Sequence, residues 1–113
     1  MRVMISLPMY GRTQGSIDEQ YNAAAQRLTT WGHEVADTRH LDALVTRSEA
    51  FEGGVKKYSL LCLGESLEVM STCDAVYFCK GWQSAHGCQI EYMAAKMYGL
   101  NTLMEEKLDE AKP

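Results

Sequence analysis

The chain has 113 residues, 46% of them hydrophobic and 23% charged, with a formal net charge of −4. This is enough apolar material for one compact domain over residues 1–113, and far too little clustered positive charge for an electrostatic grip on DNA or RNA. No apolar run is long enough to span a bilayer, and the opening "MRVMISLPMYG" meets Pro8 too soon for a secretory leader, so a cytoplasmic protein is expected. The first element is a strand, "RVMISLP" (2–8), short, apolar and β-compatible, and closed by Pro8 and Gly11. A helix follows. Ser16 with Glu19 three residues on reads as a capping box, and Ile17, Tyr21, Ala24, Leu28 and Trp31 fall on one stripe, with Gly32 as the terminator. "HEVAD" (33–37) is a second strand. Residues 38–52 show no period and read as a long loop, of a length that often carries function. "KKYSLLCLGESLEVMSTC" reads as a helix with Leu60, Leu63, Leu67 and Met70 on one side. "DAVYFCKG" (74–81) is a strand rich in β formers. A helix then runs to about Gly99, "NTLME" (101–105) is a last strand, and "EKLDEAKP" is a helical or frayed end.

Alternating strands and helices predict an α/β fold: a parallel sheet of four to five strands with helices on both faces, Rossmann-like or flavodoxin-type. Such sheets take ligands at the carboxyl ends of their strands. The rule selects Met9–Arg12, Lys80–Gly87 and the loop after Asp37. So small a core also predicts a homodimer or larger homo-oligomer, held through the stripes bearing Tyr21 and Trp31 and bearing Leu60, Leu67 and Met70.

The loop "PMYGRTQG" lacks both the dinucleotide glycine fingerprint and the phosphate-loop Gly-Lys-Ser/Thr. It still puts Tyr10 and Arg12 beside a helix amino terminus, where Met9, Gly11 and Arg12 are candidates to hold an anion; a plain turn with a solvated Arg12 is the competing reading. "KGWQSAHGCQIE" offers more. Lys80, Gly81, Trp82, Ser84, His86 and Gly87 are candidate ligand contacts, Trp82 either stacking on a flat ring or closing the core. Glu91 falls early in a helix, where the dipole would hold it ionised as a nucleophile or hydroxyl acceptor. From spacing alone a solvated first-turn acid is the commoner outcome. Cys62, Cys73, Cys79 and Cys88 form no C-x-x-C pair, and Cys79, Cys88 and His86 match no common zinc spacing. Reduced, buried thiols are therefore expected, with no metal and no cofactor, and with Cys88 packing on the sheet. Asp74, at a strand start, reads as a turn or cap residue.

"ISLPMYGRT", "GHEVADT", "SLEVMSTCDAVYFCKGW" and "GCQIEYMAAKMYGL", covering most of residues 3–100 in order, resemble the nucleoside 2-deoxyribosyltransferase family, particularly its short members often found in phages. The resemblance implies an oligomeric Rossmann-like domain that cleaves or exchanges the N-glycosidic bond of nucleosides or their monophosphates. It implies Glu91 as the nucleophile on the anomeric carbon, Tyr10 as the aromatic residue orienting it, and Asp74 as a base-binding acid. The sequence departs from the family at Ala85, six residues before Glu91, where the enzymes commonly carry Asp or Ser, and at Leu7, where many relatives carry Gly. A second class therefore stands beside the enzyme: a non-catalytic binding protein that sequesters a nucleotide signal such as a cyclic ADP-ribose.

Overall fold

A computed structural model describes residues 1–9, 11–36 and 54–110, with the side chains of 54–59 and 109–110 left aside. Strand β1 (Arg2–Ser6) is followed by helix α1 (Gln14–Thr30), strand β2 (Glu34–Ala36), helix α2 (Gly54–Met70), strand β3 (Ala75–Phe78), a single 3-10 turn (Trp82–Ser84), helix α3 (His86–Met97), strand β4 (Asn101–Met104) and the short helix α4 (Glu105–Glu110). The sheet is four-stranded and parallel, in the order β2-β1-β3-β4. This is the expected α/β, Rossmann-like architecture. The loop expected over 38–52 lies outside the described residues.

Side-chain alternation along the central strands builds two cores. Val3 and Ile5 of β1 with Ala75 and Tyr77 of β3 meet Tyr21, Ala24 and Leu28 of α1 on one face. Met4, Val76 and Phe78 point to the other face, against Met70 at the end of α2 and Ala95 of α3. The last residue of β1, Ser6, continues the Met4 series and is therefore directed to the α3 side. In register it sits opposite Phe78, so both mark the carboxyl end of the sheet.

Three local expectations need correction. The cap of α1 is Thr13, whose hydroxyl accepts the Ser16 N–H at 3.1 Å, so the helix begins three residues earlier than a Ser16 cap would place it. The Ser16 hydroxyl is occupied instead by the Arg12 guanidinium. Trp31 does not extend the buried stripe: it lies in the C-cap position, 49% exposed, with the Arg27 guanidinium 5.8 Å from its ring centroid. Ending the helix there rotates it off the core, while Gly32 at φ +85° makes the left-handed exit that a side chain would resist. On α2, Leu60 is 66% exposed, and only the end of the expected stripe, Leu67 and Met70, reaches the core.

Candidate functional site

Helix α3 buries Cys88, Glu91 and Ala95, spaced three and four apart, against the sheet. Glu91 thus takes a position that helical periodicity would give to an apolar residue. It is only 8% exposed. Ser6 donates its hydroxyl to Glu91 Oε1 at 3.3 Å, joining the end of β1 to the second turn of α3 across 85 residues of chain. Burial dominates the electrostatics and pushes the carboxyl up to about 7, with the Ser6 hydrogen bond acting in the opposite direction. The expectation that the helix dipole holds Glu91 ionised is corrected by this balance: Glu91 lies beyond the first turn, where the dipole fades, and desolvation outweighs it. The solvated first-turn acid is excluded by the same burial.

Cys88 packs beside this pair, 3% exposed, and its thiol is pushed up to about 11, chiefly by burial. Cys79 is likewise pushed up to about 12. Both are neutral thiols at physiological pH, so Cys88 is a packing residue, as its sequence context indicated, and no thiolate is available there. Among the described residues, no group of three or more His, Cys, Asp or Glu is placed to hold a metal ion.

Trp82 closes the core and remains half-buried. Its ring centroid lies 5.3 Å from that of Phe78 and 4.7 Å from that of Tyr92, and Tyr92 meets Phe78 edge-on at 5.5 Å. The aromatic cluster therefore includes the residue next to Glu91. Trp82 follows Gly81, whose φ of +94° turns the chain sharply after β3 and brings it against the Pro8 ring. Ser84 donates to the Gly81 carbonyl at 2.9 Å. His86 is exposed at the start of α3, Gly87 has open space where a Cβ would stand, and Met9 is exposed in the loop after β1.

Two candidate residues are placed differently from the rest. Asp74 lies at the amino end of the sheet, where its carboxylate accepts the Arg2 N–H at 2.9 Å. Four strand residues at about 3.3 Å each, or roughly 13 Å, separate it from the level of Phe78 and Ser6. It caps a strand start, as its position in the sequence indicated, and the base-binding role implied by the resemblance is corrected on that ground. Arg12 lies at the correct end, but its donors are directed inward, to Pro8, Ser16 and Gln20. Tyr10 lies outside the described residues. Sequence reasoning missed Ser6 and Tyr92. The signal for Ser6 was present: a hydroxyl on the Met4 face of an otherwise apolar strand, at its carboxyl end.

A family model for a domain of unknown function, DUF4406, matches residues 1–104. The chain belongs to the DUF4406 family. The match covers all four strands, and so the DUF4406 domain contains both Ser6 and Glu91. No curated protein and no solved structure matches the chain. Among the described residues of this DUF4406 protein, no helix is long and apolar enough to cross a membrane.

Proposed function

We propose that this DUF4406 protein binds a nucleoside or nucleotide at the carboxyl end of its sheet and acts on the N-glycosidic bond, with Glu91 as the nucleophile. The observation that carries the reading is a desolvated carboxyl at the sheet end, held by the Ser6 hydroxyl, with the Phe78–Trp82–Tyr92 rings on the same face of the sheet. A carboxylate stripped of water is a stronger nucleophile than a solvated one, and a carboxyl poised near 7 is substantially ionised at physiological pH. In the first step a Glu91 oxygen bonds to the anomeric carbon while the C–N bond breaks. Its electron pair leaves with the base, which takes a proton from solvent. Water or a second base then attacks the glycosyl ester and restores the carboxylate. The partner is a small molecule, not a nucleic-acid polymer.

Ala85 favours a second reading, a protein that holds a nucleotide without cleaving it. It occupies the N-cap of α3 with no side-chain hydrogen bond to offer, at the position where the resembled enzymes carry Asp or Ser. Chromatography after incubation with nucleosides and nucleoside monophosphates separates the two. Free base released by the wild type and not by Glu91→Gln supports the enzyme. Release should rise with pH through about 7 as Glu91 ionises, then level off. A ligand bound and returned intact supports the second reading.

A further inference from the structure

The Arg12 side chain is more fully engaged than a loop arginine needs to be. Its Nε donates to the Ser16 hydroxyl at 3.3 Å, and Nη2 donates to the same hydroxyl at 2.7 Å and to the Ser16 carbonyl at 3.1 Å. Its Nη1 donates to the Pro8 carbonyl at 2.8 Å and to Gln20 Oε1 at 2.5 Å. All five guanidinium N–H groups thus have acceptors within the protein. Gln20 then passes the connection on: its amide nitrogen donates to the Lys80 carbonyl at 3.1 Å, across 60 residues of chain. The same Lys80 residue gives its N–H to Glu105 Oε2 at 3.0 Å. Lys80 is therefore held on both sides, by α1 and by the first residue of α4. Immediately after it, Gly81 turns against the Pro8 ring, 3.6 Å from where its Cβ would stand.

We infer that Arg12 and Gln20 are positioning residues that clamp the β1–α1 loop to the β3–α3 loop and so fix Trp82 relative to Ser6 and Glu91. One loop leaves the strand that ends in Ser6; the other leads into Trp82 and then into the helix that carries Glu91. Beside the clamp, the strand hydrogen bond from the Cys79 N–H to the Ser6 carbonyl at 2.9 Å joins the two segments where they leave the sheet. A guanidinium with every donor occupied inside the protein is a rigid strut, not a ready anion site. Gln20 is the discriminating residue, because its amide accepts from one loop's arginine and donates to the other loop's carbonyl. A carboxylate in its place keeps the first bond and loses the second. The inference rests on the proposed function only for what the loops hold.

The test uses the full chain with Trp31→Phe, which leaves Trp82 as the one tryptophan, since the chain has two. Acrylamide quenching of Trp82 is compared in that background and after adding Gln20→Glu, Gln20→Met or the milder Gln20→Asn. With the clamp lost, the quenching constant for Gln20→Glu and Gln20→Met should rise about twofold or more, with Gln20→Asn between, while the thermal midpoint moves by only a few degrees. In nucleoside turnover the same variants should raise KM about fivefold and change kcat less than twofold, because the Trp82 ring, which on the proposed function borders the ligand, has been freed and the nucleophile has not. Unchanged quenching in folded Gln20→Glu and Gln20→Asn overturns the clamp. Quenching needs no ligand, so a wild type that releases no base counts against the proposed activity, while the clamp is still decided by Trp82.

Discussion

Glu91 sets a stability cost against a chemical use. An unfolded glutamate titrates near 4.5, whereas burial in the folded protein moves this one to about 7. Between those values the folded state binds the proton more tightly than the unfolded one. Stability is therefore full below about 4.5, falls as pH rises through about 7, and is flat above. At about 1.4 kcal/mol per pKa unit the loss is on the order of 3 kcal/mol. Glu91→Gln removes the ionisation and keeps the volume. It should be more stable than wild type by about 2–3 kcal/mol at pH 8 and nearly equal at pH 4.5, as judged by urea unfolding at the two pH values. Equal stability at pH 8 would show that the carboxylate is not desolvated. The carboxylate was legible in the sequence as an anomaly, a charge amid Ile90, Met93, Ala94 and Ala95. Its burial was not, because whether position 91 faces the sheet depends on where α3 begins. His86 as the first residue aligns Cys88, Glu91 and Ala95 inward, and nothing local to that segment announces Ser6 as the partner.

At the scale of elements, α1 illustrates how a correct periodicity coexists with a misplaced end. Ile17, Tyr21, Ala24 and Leu28 are buried as their spacing predicts, since burial of that face drives the docking of the helix. The amino terminus was ambiguous because Thr13 and Ser16 are both competent caps, and the choice was made by Arg12, which occupies the Ser16 hydroxyl. Thr13→Ala should therefore cost about 1 kcal/mol through loss of the cap, with no change in the pH dependence set by Glu91; chemical denaturation at pH 6 and 8 measures both. Strands β1 and β3 were legible because two-sided burial leaves a near-continuous apolar run, a pattern that also predicts a parallel sheet. The position of Asp74 followed from the same strand assignment, since a residue that starts a parallel strand lies at the end away from the site.

Across the whole molecule, the α2–α3 side retains large exposed apolar groups: Leu60 and Leu61 on α2, Ile90 and Met93 on α3, and Met97 and Tyr98 at the α3 end, these last two 76% and 86% exposed. Of the stripes expected to join copies, Tyr21 and Met70 are consumed by the core, whereas Leu60 and Trp31 stay outside. A homodimer through the exposed set is the expected outcome: light scattering at micromolar concentration should give about twice the 12.7 kDa chain mass, and Met93→Glu should return it to one. A single-chain mass for the wild type would contradict this. The central claim, that Glu91 forms a bond to the sugar, is tested most directly on the intact chain by mass spectrometry after incubation with a nucleoside bearing fluorine at the sugar 2′ position. Fluorine there slows both steps by destabilising the positive charge at the anomeric carbon, so the glycosyl ester accumulates when a reactive base departs. A covalent glycosyl intermediate on Glu91 gives a mass increase of one fluorinated sugar, located to Glu91 and absent from Glu91→Gln. Free base released by the wild type with no adduct, or an adduct that survives in Glu91→Gln, would contradict it.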